Sequence, residues 1–157
     1  MGDELKIVAA GAGRMGRSMA VAFAYAGMPV KILDLKPRDK ATFAAFHDNA
    51  AAEIGDHLAT LLTVGVLADE AAAATVAARI QVEPMANAQP VLRAADVVFE
   101  GVPEVLEAKQ AAFKTIESFA PATCTIASTT SSFLSTDLAN MLQRPERFLN
   151  AHWLNPA

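Results

Sequence analysis

Short apolar runs alternate with amphipathic segments along the first part of the chain. The runs at residues 5–10 and 29–34 are continuous enough to be buried strands. Between them, apolar residues recur at spacings of three and four on one helical face: Met15, Met19 and Phe23. This spacing predicts a helix over residues 14–26, which Gly27 is placed to end.

A change of period after the second strand predicts two consecutive helices. Asp39 is placed to cap a long helix that reaches about residue 64, where Gly65 breaks it, and Asp69 is placed to cap an alanine-rich helix over residues 70–78. This helical hairpin is an insertion relative to a minimal strand–helix–strand unit. Two interpretations stay open for it: contacts with a substrate or a second subunit, or helices that simply pack on each other.

The second half of the chain continues the alternation of strands and helices. Four further runs have the pattern of strands: residues 79–83, 95–100, 123–127 and 148–154. Helices are predicted over residues 104–119 and 135–141, with Ser135 as the cap of the second. The inward face of the first of these carries Leu106, Phe113 and Ile116. The order predicts an α/β protein with a Rossmann-type, doubly wound parallel sheet and the hairpin inserted after its second strand.

Composition limits the classes of protein to which the chain can belong. At 157 residues it fits one domain, and we expect residues 1–157 to form it. The formal net charge of −4 argues against a nucleic-acid partner, and the sequence has no run of about 18 apolar residues to span a membrane. The amino terminus lacks the plan of a signal peptide and Cys124 is the only cysteine, so we expect a cytoplasmic protein with a buried, inert thiol. The three histidines lack the spacing of metal ligands, so no metal site is expected.

A glycine-rich turn directly follows the first predicted strand. Gly11, Gly13 and Gly16 have the spacing G-x-G-x-x-G, and Asp34 closes the second strand eighteen residues after Gly16. In this context the first glycine makes the tight turn, the second lets the backbone approach a pyrophosphate, and the third lets the helix pack close to the sheet. The phosphates would lie at the helix N-terminus, where free N–H groups favour anions. The arrangement predicts a dinucleotide-binding site.

Asp34 indicates which dinucleotide binds. Its carboxylate can accept hydrogen bonds from the adenosine ribose and would repel a 2′-phosphate, so the sequence predicts NAD as the cofactor. Lys36 and Arg38 lie just beyond and carry the charge that a phosphate needs. We interpret them instead as the solvated start of the next segment.

Three sets of polar residues follow strands in the second half, at the sheet edge where ligands bind in this class of fold. Glu104 follows one strand, with Lys109 further along the next helix, the hydroxyl residues 128–132 follow another, and His152 and Asn155 close the last. Histidine is the side chain best suited to take a proton from an alcohol near neutral pH. A structural role for this histidine is equally open, and the hydroxyls are also typical of turns and helix caps.

These motifs together resemble the L-3-hydroxyacyl-CoA dehydrogenase family, from Ile7 to the last residue. They are Gly11-Ala-Gly-Arg-Met-Gly16, Glu100-Gly-Val-Pro-Glu104 followed by Lys109, Ser128-Thr-Thr-Ser-Ser132, and Arg147-Phe-Leu-Asn-Ala-His-Trp-Leu-Asn-Pro156. The last three stand in the family's order and spacing, which is more specific than the glycine motif alone. The resemblance implies oxidation of the 3-hydroxyl of an acyl-CoA with NAD, giving the 3-keto thioester.

The resemblance also implies roles for individual residues. His152 matches the catalytic histidine, Ser131 the serine that binds the substrate hydroxyl, and Asn155 a strand-end asparagine. Glu104 and Lys109 match positions that contact the nicotinamide-side ribose, and the hairpin corresponds to an insertion that helps to hold the CoA. Cofactor contacts are implied for the following residues: Gly11, Ala12, Gly13, Arg14, Met15, Gly16, Asp34, Gly101, Val102, Glu104, Lys109 and Ser131.

Two departures leave the acyl group open. Thr129 stands where the family usually has asparagine, and Trp153-Leu154 stand where two phenylalanines are frequent. The family also has a helical C-terminal domain with the dimer contact, and an acid that pairs with the histidine lies further along its chain. We therefore expect this chain to be the cofactor-binding half of such an enzyme, with the C-terminal helical domain absent, and a homodimer in the complete protein.

Two other functions are compatible with the same residues. One is an NAD-dependent dehydrogenase of a β-hydroxy acid that carries no CoA, because relatives of this fold use carnitine or sugar acids. The other is an NAD-binding module that catalyses nothing. The short length favours such a module, whereas the presence of Ser131, His152 and Asn155 favours a dehydrogenase.

Overall fold

A parallel sheet forms the centre of the computed structural model, which describes residues 5–153. Within those residues its strands are β1 (Ile7–Ala10), β2 (Val30–Leu33), β3 (Ile80–Glu83), β4 (Val97–Glu100), β5 (Thr125–Ser128) and β6 (Phe148–Asn150). Every neighbouring pair is parallel, in the order β3-β2-β1-β4-β5-β6. The strand order reverses between β1 and β4, which is the switch point where ligands bind in open sheets. The predicted Rossmann-type α/β fold is confirmed.

Helices cover both faces of the sheet. They are α1 (Arg14–Tyr25), α2 (Lys40–Thr63), α3 (Glu70–Ala77), α4 (Ala88–Arg93), α5 (Leu106–Phe119) and α6 (Ser135–Ala139), with single 3₁₀ turns at Met85–Asn87 and Pro145–Arg147. The central strand β1 divides the core by its period of two. Ile7 and Ala9 pack with α1, α2 and α3, whereas Val8 and Ala10 pack with α4, α5 and α6. A strand buried on both faces has no polar positions, as the sequence of β1 shows.

The helical hairpin after β2 is confirmed as α2 and α3. Asp39 caps α2 by accepting a hydrogen bond from the Thr42 N–H at 2.8 Å, and Asp69 caps α3 in the same way, from a backbone N–H at 2.8 Å. Ile54 and Leu58 of α2 are buried in the same cluster as α1. The hairpin therefore packs firmly on the first helix, and any contact that it makes with a substrate or a subunit remains a prediction.

The boundaries of α5 differ from the prediction. The helix begins at Leu106 rather than Glu104, because Val105 has an extended backbone and acts as its N-cap residue. Leu106 was predicted to face inward and is exposed, since the buried face begins one turn later with Lys109, whose ammonium has carboxylate partners inside the protein. Phe113 and Ile116 are buried, as predicted.

The prediction that Ser135 caps the following helix is wrong. Leu134 is the N-cap residue, with extended backbone and no side-chain cap, and Ser135 already lies inside α6. The helix ends at Ala139 rather than residue 141, because the next backbone bonds tighten to the i to i−3 pattern, from the Met141 N–H to the Leu138 carbonyl and onward.

An interior ion pair fixes the start of β6. Arg147 donates to the Pro121 carbonyl at 2.8 Å and to Glu117 Oε1 at 3.2 Å, and Glu117 also accepts from the Gln143 N–H. The ion pair therefore attaches the edge strand to α5. β6 is shorter than predicted, since residues 151–153 follow it without regular structure. The Cys124 thiol is buried as expected, and burial raises its pKa to about 11.

Two sequence-based exclusions concern membranes and metals. Among residues 5–153, no helix has the length and apolar character needed to cross a bilayer. The same residues contain no group of three His, Cys, Asp or Glu side chains arranged to hold a metal ion.

Candidate active site

The turn after β1 requires glycine at two positions. Gly11 has φ of +117°, and a Cβ there would lie 2.8 Å from the Gly101 carbonyl oxygen. A Cβ on Gly16 would lie 1.9 Å from the Gly11 carbonyl oxygen, a separation that no side chain can adopt. The glycines predicted for the tight turn and for close helix packing therefore have those roles, and the turn is held against the end of β4.

The N-terminus of α1 is open beside this turn. Gly13 is the N-cap residue and supplies no side chain to the free N–H groups of the first helical turn. A Cβ on Gly13 would have no heavy atom within 4 Å apart from its chain neighbours, so the backbone is open on that side of the N-cap residue. Arg17 steadies the turn by donating to the Ala12 carbonyl at 2.8 Å and pairs with Glu53 of α2. Free N–H groups, the helix dipole and room for a backbone-sized ligand are the properties that a pyrophosphate needs.

Asp34 lies at the end of β2 and is almost completely buried. Its carboxylate accepts from the Lys36 N–H at 3.2 Å and from Arg38 Nε at 2.5 Å. The Arg38 guanidinium stacks 4.2 Å from the ring centre of Phe46, a residue of α2. The expectation that Arg38 is solvated is therefore wrong, because the carboxylate and the aromatic ring hold it over the site.

One cavity joins these features. It has a volume of about 200 Å³, and the residues that line it include Gly11, Gly13, Asp34, Arg38, Phe46 and Gly101. Val102 also lines it. The structure thus brings together the glycine turn, the acid and the end of β4, as the dinucleotide prediction requires.

A buried charge network lies at the carboxyl ends of β4 and β5. Glu100 closes β4, and its two carboxylate oxygens accept from the Val102 N–H at 2.8 Å and from Ser128 Oγ at 2.6 Å. Lys109 Nζ lies 3.2 and 3.0 Å from the same two oxygens. The side chains of Glu100 and Lys109 are both 0% exposed.

Glu104 connects this network to the hydroxyl-rich loop. Lys109 Nζ lies 3.1 Å from one of its oxygens, and the other accepts from Thr130 Oγ1, from the Ser131 and Ser132 N–H groups at 3.2 and 3.1 Å, and from Ser132 Oγ at 2.8 Å. Partial burial raises the pKa of the Glu104 carboxyl, but the hydrogen bonds from Thr130, Ser132 and Lys109 outweigh it and lower the pKa to about 2. The loop is therefore organised around an ionised carboxylate.

His152 lies beside the start of this loop. The preceding Ala151 N–H donates to the Ser128 carbonyl at 2.9 Å, and the following Trp153 packs on Phe23, with ring centres 5.7 Å apart. The histidine side chain itself is exposed. Backbone and aromatic contacts thus fix the chain on both sides of a histidine that is open to a ligand.

The site residues form two groups along the carboxyl edge of the sheet. In the first group, Glu104 contacts both Lys109 and the Ser131 N–H, and the backbone next to His152 is bonded to Ser128 at the start of the same loop. In the second group, Asp34 lines one cavity together with the glycine turn, on the other side of the switch point. Asn155 lies outside the described residues.

Sequence reasoning missed several contacts of this site. Arg17 was not singled out, and the sequence named Glu100, Arg38 and Trp153 without predicting the contacts that they make here. The one local signal was that Glu100 ends a buried apolar run, as Asp34 does.

Comparisons with known proteins agree with this geometry. Residues 6–157 match the family model described as 3-hydroxyacyl-CoA dehydrogenase, NAD binding domain. A probable 3-hydroxybutyryl-CoA dehydrogenase of Bacillus subtilis is 30% identical over 152 residues, which cover 96% of this chain and 49% of the relative. An L-carnitine dehydrogenase/betainyl-CoA thioesterase of a Rhizobium species is 28% identical over 151 residues, which cover 96% of this chain and 28% of that protein.

A solved structure extends the similarity to three dimensions. The (S)-3-hydroxybutyryl-CoA dehydrogenase of Ralstonia eutropha superposes with a TM-score of 0.83 and 29% identity, over 98% of this chain and 50% of that one. The chain thus spans about half the length of the Bacillus relative and of this structure. The matched domain makes NAD the cofactor, and the open helix N-terminus, the empty space at Gly13 and the buried Asp34 fit it.

Replacing Gly13 by alanine should weaken NADH binding without harming the fold. The new methyl group meets no protein atom beyond its chain neighbours, but it takes up space at the position where the backbone is predicted to approach a pyrophosphate. We expect the Kd for NADH to rise by at least about tenfold, or 1.4 kcal/mol, with an unchanged unfolding midpoint. Energy transfer from Trp153, the single tryptophan, to bound NADH measures the Kd. Gly16→Ala, which clashes with the Gly11 carbonyl, should instead destabilise the protein. An unchanged Kd in Gly13→Ala would contradict the pyrophosphate site.

Cofactor preference should depend on the charge balance between Asp34 and Arg38. We expect wild-type protein to bind NADH more tightly than NADPH, because the Asp34 carboxylate repels a 2′-phosphate. Arg38→Met removes the guanidinium that offsets this charge, so the preference should increase by about tenfold. Asp34→Asn should reduce it, and Lys40→Met, an exposed charge change nearby, should leave it unchanged. Tighter binding of NADPH by the wild type would overturn the assignment of Asp34.

Acid should release the hydroxyl-rich loop from Glu104. The pKa of about 2 in the folded protein lies below the ordinary value of 4.5, so the unfolded chain takes up the proton first as the pH falls. The stabilisation by Glu104 is complete above about pH 4.5 and is lost as the pH falls through 2. Urea unfolding at pH 7 and pH 3 should therefore show a larger loss of stability for the wild type than for Glu104→Gln. Equal losses would show that the carboxylate does not hold the loop.

Proposed function

The chain belongs to the 3-hydroxyacyl-CoA dehydrogenase family, and we propose from that premise that it is the cofactor-binding half of an enzyme that oxidises 3-hydroxyacyl-CoA to 3-ketoacyl-CoA. The observation that carries the proposal is the adjacency of His152 to the loop of Ser131 at the edge of the sheet that also holds the NAD residues. A module that only bound NAD would have no need of a histidine and a serine there. We propose 3-hydroxyacyl-CoA as the substrate, a second copy of the complete protein as the partner and oxidation as the direction.

The proposed chemistry needs a base and a hydrogen-bond donor at the substrate oxygen. When bound, NAD supplies the acceptor for the hydride that leaves C3. An imidazole nitrogen of His152 takes the proton of the 3-hydroxyl, and Ser131 Oγ donates a hydrogen bond to the same oxygen. Glu104 keeps the Ser131 backbone in place through its N–H. Asn155 is proposed to assist at the same edge, on the strength of the family match alone.

The rest of the proposed site lies outside this chain. Because the chain spans about half the length of the relatives, we propose that the complete protein supplies a carboxylate to orient His152 and a homodimer contact. An imidazole without its acid partner is poorly oriented, so we expect little turnover from residues 1–157 alone.

A β-hydroxy acid without CoA is the second candidate substrate. The 28% identical Rhizobium relative carries the name of an L-carnitine dehydrogenase and matches 96% of this chain. The two candidates share the roles of His152 and Ser131 and differ only in what lies beyond the 3-hydroxyl.

NADH oxidation with acetoacetyl-CoA tests the proposal, using both this 157-residue chain and the longest natural product of its gene. We expect activity in the longer product and little in the chain alone. His152→Gln in the longer product should lower kcat by about 10²–10⁴ and leave the Kd for NADH nearly unchanged, because the imidazole moves a proton and does not bind the cofactor. His47→Gln, an exposed histidine of α2, is the matched control.

Each other outcome has a defined meaning. Unchanged turnover in His152→Gln would place the base elsewhere. Inactivity of the longer product with acetoacetyl-CoA but activity with a free β-keto acid would favour the second candidate. Binding of NADH without any turnover would reduce the function to cofactor binding.

A further inference from the structure

Lys109 is the most unusual side chain of the site, because its ammonium is sealed from water. It is 0% exposed, and its partners are Glu100 at 3.0 and 3.2 Å and Glu104 at 3.1 Å. The two contacts with Glu100 are hydrogen bonds, and the contact with Glu104 is an ion pair. Carboxylates of the protein therefore surround the ammonium, at a residue for which the family resemblance implied a contact with the cofactor ribose.

Glu100 is fixed as firmly as the lysine that it neutralises. Its oxygens accept from the Val102 N–H and from Ser128 Oγ in addition to Lys109. Glu100 and Ser128 are partners in the register of β4 with β5, and Lys109 comes from α5. Three elements therefore converge on one buried carboxylate, to which the family resemblance assigned no role.

The two carboxylates of this network differ in their exposure to solvent. Two carboxylates share one ammonium, and of these Glu100 is enclosed whereas the side chain of Glu104 is about one third exposed. The attraction of Lys109 pulls the exposed carboxylate inward, to the place where it accepts from Thr130, Ser131 and Ser132. The buried pair thus meets the loop at two places: at its start, where Ser128 Oγ donates to Glu100, and further along, where Glu104 accepts from the Ser131 and Ser132 N–H groups.

We propose that Glu100 and Lys109 are positioning residues that set the place of Ser131 through Glu104. Glu100 supplies the counter-charge that keeps an ammonium inside the protein, and Lys109 holds Glu104 against the loop. The consequence for catalysis rests on the proposed function of Ser131. The contacts that position Ser131 are all between residues of this chain, so their effect can be measured without NAD or substrate.

The test separates positioning from simple stability. Lys109→Met alone leaves the buried Glu100 carboxylate without its counter-charge and should lower the unfolding midpoint. The double variant Glu100→Gln/Lys109→Met removes the pair together, so the unfolding midpoint should return toward that of the wild type. Glu104 nevertheless remains without its ammonium. In the cofactor-free double variant we expect the Ser131 and Ser132 amides to exchange with solvent at least about tenfold faster than in the wild type.

Lys114→Met on the exposed side of α5 is the matched control and should leave both amides at the wild-type rate. Wild-type exchange in the double variant would overturn the proposal, and so would equal acceleration in the control. Weaker NADH binding with wild-type exchange would instead assign Lys109 a direct contact with the cofactor, against the proposal. If the double variant does not fold, Glu104→Gln keeps the buried pair and should release the same amides, and unchanged exchange there is an equal refutation. Because amide exchange needs no NAD and no substrate, this result is independent of the turnover experiment.

Discussion

The close approach of two backbone turns at the switch point determines the geometry of the rest of the site. Gly11 and Gly101 follow the neighbouring strands β1 and β4. Their backbones lie so close together that a side chain on Gly11 would clash with Gly101. The contact is joined by ladder bonds, from the Gly11 N–H to the Leu33 carbonyl and from the Gly101 N–H to the Ala10 carbonyl. This contact leaves no space between the turns that follow β1 and β4, whereas the N-terminus of α1 has no side-chain cap. Gly11 and Gly101 both line the cavity that also holds Asp34, so this contact sets the distance between the two turns that a predicted cofactor would meet.

The same electrostatic arrangement occurs twice along the carboxyl edge. Asp34 follows β2 and Glu100 ends β4, and each is a buried carboxylate that pairs with a cation further along the chain, 4 residues away for Asp34 and 9 for Glu100. The difference lies in access to solvent. Arg38 keeps a fifth of its side chain exposed, so its partner Asp34 can exchange one hydrogen-bond donor for another. Lys109 is enclosed, so Glu100 is committed to one arrangement. One pair suits a ligand that comes and goes, and the other suits a permanent support.

The parts of the structure that sequence could predict depend on neighbours along the chain. The order of strand, glycine turn, helix, strand and Asp34 has a short-range cause for each step, and the caps at Asp39 and Asp69 are bonds to residues three positions away. The parts that it could not predict need partners brought from a distance. Arg38 folds back because its guanidinium stacks on the ring of Phe46 in α2. Lys109 points inward because its ammonium binds the Glu100 carboxylate, 9 residues earlier at the end of a strand. A hydrophobic pattern cannot show that a lysine occupies an inward position.

The register of β1 with β4 also has a consequence for the order in which the protein acquires its properties. Ile7 pairs with Val97, so the central pair of strands closes a loop of 90 residues, whereas β4, β5 and β6 are joined over much shorter distances. Closing long loops is slow, since the entropy is lost before the contacts form. During synthesis the glycine turn emerges early but has no Gly101 beside it until β4 has left the ribosome. A growing chain therefore cannot use the cofactor to assist its folding until two thirds of this sequence has been made, and NAD can stabilise only a chain in which β4 has already paired with β1.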